Sequence, residues 1–312
     1  MKTLICGSMA YDTIMVFEDR FQNHILPEKI HILSVAFLVA ELRREYGGTA
    51  GNIAYNLKML EGEPLIMATV GHDFSDYRQR LTDLNIPQTY IREVADAFTA
   101  QAFITTDLDD NQITAFHPGA MNYAHLNQIS DAGEAQFGIV APDGREGMLL
   151  HARQFRELGI PFLFDPGQGL PMFSGPDILE FLDHASYFAV NDYEAQLMTE
   201  KTGLSFEQLA GRVKAAFVTR GAEGSKIHVN GSVIHIPAVH PEKIEDPTGC
   251  GDAYRAGLIY GISKGWPWAL TGRLASLMGS IKIAHRGGQN HKLTRIEIAN
   301  RFEQAFGIPL DS

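Results

Sequence analysis

Cysteine is nearly missing from this 312-residue sequence: only Cys6 and Cys250 occur, with no Cys-x-x-Cys pair. That excludes a disulfide framework and a cysteine-ligated metal site, and it fits a reduced, cytoplasmic setting. Long apolar runs are missing too. None approaches the ~20 residues of a membrane span, and the run after Met1-Lys2 is too short for a secretory signal. Basic residues are scarce, with 26 Lys and Arg against 37 Asp and Glu and a formal net charge of -11. A general nucleic-acid binder or an anionic-membrane binder needs a basic surface, so neither is expected. A small anionic ligand stays open, because a local pocket can oppose the global charge. Several signatures are absent: GxxxxGK[ST], GxGxxG after the first strand, GxSxG and HExxH. Their absence removes a P-loop and counts against dinucleotide, serine-hydrolase and zinc-protease chemistry. The 12 histidines are scattered without a metal-ligand spacing.

What is present is ordinary globular composition, 45% hydrophobic and 20% charged. The length suits one α/β domain with an appendage, residues 1–312 in all. "TLICG" (3–7) reads as a buried strand entering a glycine turn. "PLIMATVG" (64–71), "FGIVA" (137–141), "IPFLFDPG" (160–167), "YFAVN" (187–191) and "AAFVT" (215–219) read as further strands, with helical patterns between several of them. Asn230-Gly231 marks a hairpin between "SKIHV" and "SVIHIP". Residues 251–307 read mostly as helices. Repeated βα units predict a doubly wound, mostly parallel sheet. Two stretches break the rhythm: the irregular segment of about 12–45, and "TAQAFITTDLDDNQITAF" (99–116), a hairpin turning at Asp109-Asp110-Asn111. Together they predict a small extra sheet, a lid formed by about 12–45 and 99–118. Gly7, Asp165, Asn191 and Thr219 each follow a predicted strand, and in such folds ligands sit at the strands' carboxyl ends.

"DPTGCGDAYRAG" (246–257) packs three glycines and two aspartates around a turn that runs into a helix. Gly249-Cys250-Gly251 can bare successive N–H groups beside the positive helix end, a seat for an anion. Asp252 is placed to take a proton from an alcohol. An N-capping aspartate after a glycine turn explains the same residues, and the segment alone is evenly divided. "YGGTAGN" (46–52) could let a ligand approach Gly47 and Gly48, with Asn52 one turn into a helix, but a tight turn with a helical cap explains the segment alone as well or better. Asp12 could accept from paired hydroxyls, although a lone loop aspartate is more often simply solvated. In "VTRGAEGS" (218–225), Thr219, Gly221 and Gly224 could wrap a nucleotide or simply turn the chain. "NDYE" puts Asn191 and Glu194 at a helix start, as a hydrated Mg²⁺ site or as a cap with a first-turn acid.

Taken in order, "GGTAGN", "NDYE", "VTRGAEG" and "DPTGCGDAYRAG" resemble the ribokinase/PfkB family of sugar and nucleoside kinases over nearly the whole chain. The resemblance implies a ribokinase-like three-layer α/β/α sandwich with a small β-sheet lid. It implies transfer of the ATP γ-phosphoryl group to a primary hydroxyl, with Mg²⁺. By residue, it implies Asp252 as catalytic base and Gly249, Cys250 and Gly251 as anion hole, with the Cys250 thiol at its centre. Asn191 and Glu194 would organise Mg²⁺ and phosphate. Thr219, Gly221 and Gly224 would shape the ATP site, and Asp12, Gly47, Gly48 and Asn52 would bind sugar hydroxyls. Family members are often activated by a monovalent cation such as K⁺. Asp246 and Thr248 match one side of that site, and the loop around His285 and Gly287 the other. Two departures stand out: Cys250 replaces an alanine, and Arg255 stands where an apolar residue is usual.

The lid segments carry Phe17, Phe21, Phe37, Phe103 and Phe116, for a base slot, a lid core or a homodimer contact. Phe116 ends the hairpin and is expected in the slot. "FHPGAMN", "DAYRAG" and "HRGGQN" resemble bacterial adenosine or nucleoside kinases, so a nucleoside acceptor is expected, adenosine first. A ribokinase or fructokinase is the runner-up. A non-catalytic nucleotide-binding protein is the alternative outside that class, and Asp252 beside an intact glycine turn speaks against it.

Overall fold

The computed structural model describes residues 1–25, 32, 34–109 and 111–310. Thirteen strands are seen among them: β1 (Lys2–Cys6), β2 (Ala10–Phe17), β3 (Val39–Gly47), β4 (Glu63–Gly71), β5 (Tyr90–Val94), β6 (Ala100–Thr106), β7 (Gln112–His117), β8 (Phe137–Val140), β9 (Phe162–Phe164), β10 (Tyr187–Asn191), β11 (Ala215–Thr219), β12 (Ser225–Val229) and β13 (Ser232–Ile236). The α-helices are α1 (Thr49–Met59), α2 (Ser75–Asp83), α3 (Arg145–Glu157), α4 (Gly175–His184), α5 (Asp192–Thr202), α6 (Phe206–Ala210), α7 (Cys250–Ser263), α8 (Trp268–Ile283) and α9 (Arg295–Phe306).

Nine strands form one sheet in the order β13-β12-β11-β10-β9-β8-β1-β4-β5. From β11 to β5 all neighbours are parallel, and β12 and β13 add an antiparallel edge. Alternation along each strand feeds two cores. Ile5 and Ala189 face the layer of α1, α7 and α8, whereas Leu4, Cys6, Phe188 and Val190 face the layer of α3 to α6. A strand wedged between two helical layers reads as a continuous apolar run, and β4 is buried from Pro64 to Gly71. The mostly parallel sheet expected from the βα rhythm and the three-layer sandwich implied by the resemblance are both present. β9 is shorter than expected, and β5, α4 and α6 were not anticipated. No helix among the described residues is long and apolar enough to cross a membrane.

A second sheet holds four strands in the order β3-β2-β6-β7. The irregular stretch of about 12–45 supplies most of β2 and most of β3. Residues 26–31 and 33 of that stretch, and Asp110 of the hairpin turn, lie outside the described residues. Within this lid, Asp12 pairs with Ala102, and Ala102 with Phe116. Side chains in register share a face, so these three form one row. Thr13, Phe103 and Ala115 form the next row, on the opposite face.

Candidate active site

The parallel strands end on a cavity of about 730 Å³ roofed by the lid row Asp12, Ala102 and Phe116. Its walls include Ser8 after β1, Pro142 and Asp143 after β8, Asp165 and Gly167 after β9, Asn191 and Glu194 at β10–α5, and Thr219 at the end of β11. Its floor is Asn52, Thr248, Gly249, Gly251, Asp252 and Arg255. This is the strand-end crevice where doubly wound sheets place their ligands.

Gly249 takes the left-handed conformation (φ 78°) and turns the chain into α7. The first intrahelical bond runs from Ala253 N–H to Gly249 C=O. The N–H groups of Cys250, Gly251 and Asp252 therefore precede the helical ladder. The Cys250 N–H donates to Pro247 C=O at 3.1 Å. That corrects the expectation of Cys250 as an anion-hole donor: the first-turn donors left over are those of Gly251 and Asp252. The Cys250 side chain does not line the cavity either. Its Sγ approaches Asp246 C=O at 3.9 Å, and burial pushes the thiol up to about 11.

Asp252 stands half-buried at the start of α7, where the enclosing walls raise its carboxyl to about 7. Asn52 Nδ2 donates to its Oδ2 at 2.8 Å, which holds the carboxyl in place and opposes the rise. Asn52 is itself fixed. Gln289 Nε2 donates to Asn52 Oδ1 (3.2 Å) and reaches Tyr77 Oη at 2.5 Å, and Tyr77 donates to Gly47 C=O at 2.8 Å. Gly288 presses on the same amide, since a Cβ there would lie 2.3 Å from Asn52 Oδ1. Gln289 and Tyr77 belong to this network although nothing local in the sequence marks them.

Arg255, one turn beyond Asp252, points inward. Its Nε and Nη2 bind both oxygens of Asp165 at 3.1 and 3.0 Å, and Nη2 also reaches Ala189 C=O at 3.1 Å. Both residues are 4% exposed. The bidentate pairing resolves the departure noted in the sequence: the guanidinium neutralises an acid at the end of β9. Breaking such a buried pair costs about 3–5 kcal/mol.

Asn191 and Glu194 form a reciprocal capping box on α5. Glu194 N–H donates to Asn191 Oδ1 at 2.7 Å, and Asn191 N–H to Glu194 Oε2 at 2.8 Å. The cap reading is thus realised while both side chains also line the cavity. Burial raises the Glu194 carboxyl, with Arg255 opposing. Thr219 lines the cavity, but Gly221 and Gly224 do not. Those two take positive φ (53° and 85°), and a Cβ on Gly224 would lie 2.1 Å from Ile236 C=O. They shape the turn behind the wall.

On the lid side, Asp12 is raised to about 6 by burial, helped by the Asp246 and Glu45 charges. Gly47 lies behind it, where a Cβ would meet Asp12 Oδ2 at 2.5 Å. Gly48 does line the cavity, with φ 84° and no room for a Cβ, which would lie 2.5 Å from Ser8 C=O and Ala10 N–H. Of the lid phenylalanines, Phe116 faces the cavity. Phe17, Phe21 and Phe37 cluster with one another at ring distances of 4.8 to 6.0 Å, a lid core. Asp143 is a further wall residue that sequence reasoning missed. It is 3% exposed, raised to about 8 by burial, and its Oδ2 has no hydrogen-bond partner.

The expected monovalent-cation site requires a correction. Asp246, Thr248, His285 and Gly287 do converge: Asp246 carboxylate oxygens accept from Thr248 N–H and Gly287 N–H, each at 2.8 Å. Two of the carbonyls, however, are taken. The ammonium of Lys282, at the end of α8 and 0% exposed, donates to Asp246 C=O at 2.7 Å and to His285 C=O at 2.9 Å. A second cation there would face a like charge, worth about 4 kcal/mol at 4 Å and an effective dielectric of 20. These residues do not fit a bound K⁺.

No cluster of three or more His, Cys, Asp or Glu suited to a metal is present among the described residues. The cavity does line up five carboxyl groups (Asp12, Asp143, Asp165, Glu194 and Asp252) against one guanidinium, Arg255. A polyphosphate entering such a cavity needs a counter-cation. The donor set, one capping carboxylate beside an amide, fits a Mg²⁺ that keeps most of its waters and is shared with phosphates.

The chain is similar to a nucleoside kinase of Burkholderia thailandensis whose structure holds inosine, at 51% identity and TM-score 0.90 over 98% of this chain and 99% of that one. A second structure of that kinase holds ADP and inosine, at 52% identity and TM-score 0.87 over 98% and 97%. A nucleoside kinase of Methanocaldococcus jannaschii is 30% identical over 89% of this chain and 92% of its own. The family model for pfkB family carbohydrate kinases matches residues 11–295, and the chain belongs to that family.

Proposed function

We propose that the chain is an ATP-dependent nucleoside kinase that moves the γ-phosphoryl group of ATP to the 5′-hydroxyl of a nucleoside, adenosine first. The observation that carries this is Asp252. A carboxyl tuned to about 7 sits at the mouth of a helix N-terminus, clamped by Asn52, in a cavity with an acidic roof residue and an aromatic ring. The Burkholderia thailandensis kinase that resembles this chain holds inosine in one structure and ADP with inosine in another.

Phosphoryl transfer asks for alignment and charge stabilisation rather than covalent help. In this reading Asp252 accepts the 5′-hydroxyl proton, and Asn52 keeps its oxygen aimed. The N–H groups of Gly251 and Asp252, with the positive end of α7, face the transferred oxygens. Asp12 accepts from the ribose hydroxyls, and Phe116 stacks on or borders the base. Gly48 lets the sugar lie against the backbone. ATP lies toward Asn191 and Thr219, with Gly221 and Gly224 shaping that rim. Mg²⁺, held through water by Glu194, would neutralise the phosphate charge when bound. Asp143, neutral below about 8, has a hydrogen-bonding oxygen left over for a polar edge of the acceptor.

A homodimer through the outer lid face belongs to the same reading. Leu42, Met15, Thr105 and Ile113 align in register there, and Leu42 and Ile113 are exposed. Sedimentation of wild type and Leu42→Glu checks it; a monomeric wild type sinks the dimer.

The functional test is ADP formation from ATP and Mg²⁺ with adenosine, inosine, cytidine, ribose and fructose. Turnover highest with adenosine supports the full reading. Turnover with fructose or ribose alone overturns it in favour of a sugar kinase, and nucleoside binding without turnover in favour of a non-catalytic binder.

A further inference from the structure

The Lys282 side chain is the least expected group near the site. It is fully enclosed at the last turn of α8, and a buried ammonium is retained only where its donors are satisfied. Two of its three N–H bonds end on main-chain carbonyls of separate loops, Asp246 and His285. The Asp246 loop runs through Gly249 into Asp252. The His285 loop runs through Gly288, which presses on Asn52, and Gln289, which donates to it. The two loops are closed a second time by the Asp246 carboxylate, which accepts from Thr248 and Gly287 N–H. Glu245 and Asp246 N–H both donate to Ile283 C=O at 2.9 and 3.1 Å. One buried positive charge thus sits where two loops meet, one carrying Asp252 and the other the groups that fix Asn52.

We propose that Lys282 is a built-in monovalent cation: it replaces an exchangeable K⁺ at this junction and acts as a positioning residue for Asp252 and the first turn of α7. Carbonyl oxygens accept from an ammonium as they would ligate a potassium ion, and here the charge is covalently tethered. The chain therefore needs no external monovalent cation, which sets it apart from the cation-activated members of its family. The effect on turnover rests on the kinase reading given above; the occupancy of the junction does not.

The test has two arms that fail separately. In the first, thermal midpoints of the unliganded protein are compared in potassium and tetramethylammonium chloride at equal ionic strength. Wild type is expected to show no potassium-specific shift, whereas Lys282→Ala, with the ammonium removed, is expected to be stabilised by K⁺. In the second, nucleoside phosphorylation is measured in the same salts. Wild-type kcat is expected to change less than about twofold. Lys282→Ala should lose about 10- to 10²-fold in kcat, as misplacement of a reacting group does, with a smaller change in nucleoside KM and partial recovery in K⁺. A potassium-specific midpoint shift in wild type, or strong potassium activation of it, overturns the proposal. So does a Lys282→Ala enzyme with normal kcat in tetramethylammonium. Should Lys282→Ala not fold, Lys282→Gln takes its place and the wild-type arms still decide. Absence of turnover with every nucleoside would sink the kinase reading, while the midpoint arm would still decide who occupies the junction.

Discussion

The floor of the cavity and its roof are built on opposite principles. On and beneath the floor, polar side chains are tied to fixed partners: Asp252 to Asn52, Asn52 to Gln289, Gln289 to Tyr77, Arg255 to Asp165, Lys282 to two carbonyls. The lid has β7 exposed along its whole length, and β3 is mostly exposed or half-buried. Outer strands with little buried apolar surface open locally at low free-energy cost. The proposed reacting groups are thus preorganised, whereas the proposed substrate contacts of the roof sit on the part of the molecule that yields most easily.

The contrast can be tested from both sides. Asp252→Asn on the floor should lower kcat by about 10²–10⁴-fold with nucleoside affinity nearly kept, since the amide preserves shape but accepts no proton. Stopped assays and calorimetry check it, and near-normal turnover would remove Asp252 as base. In the wild type, kcat/KM should fall as pH drops below about 7, because the raised Asp252 carboxyl becomes protonated; that limb should vanish from the residual activity of Asp252→Asn. At the hinge between the regions, Gly48→Ala forces a side chain into φ 84° and against Ser8 and Ala10. A loss of at least about 1–3 kcal/mol in denaturant unfolding is expected. On the roof, Phe116→Ala should raise nucleoside KM about tenfold with kcat nearly constant, the mark of a contact made equally in ground and transition states. A change in kcat of the same size would place Phe116 with the floor.

The smallest effect is a slope. Asp12, Asp143 and Asp252 are carboxyls raised to about 6, 8 and 7, so the folded protein holds protons that the unfolded chain has released. Stability of the unliganded protein should therefore decline as pH rises from about 5 to 8. Asp143→Asn should flatten the upper part of that decline in thermal melts, and an unchanged slope would mean that Asp143 is ionised.

Much of this was legible in the sequence because it is local. Buried strands announce themselves as apolar runs, and the glycine turn before α7 has its own spelling. β5 was missed because an edge strand reading "YIREV" buries only Ile91. α4 was missed although Ser174, Pro176 and Asp177 carry a capping box with an N-terminal proline. The residues that could not be read are those whose partners are distant: Arg255 meets Asp165 90 positions away, and Gln289 meets Asn52 237 away. Lys282 looks like any polar residue of a helix, and only the fold reveals that its charge is enclosed.

The row Asp12, Ala102 and Phe116 has a consequence for how this protein can change. Neighbouring positions of a strand face opposite sides, so substrate contact in the roof is a question of parity. One residue gained in β2 ahead of Asp12 turns the carboxylate to the opposite face of the lid, where Thr13 now lies, and brings Tyr11 or its neighbour into the cavity. Two residues restore the face but carry the carboxylate about 6–7 Å along the strand. Length changes at the tip near Asn111 alter neither. Drift in chain length is therefore silent at one end of the lid and all-or-none at the other.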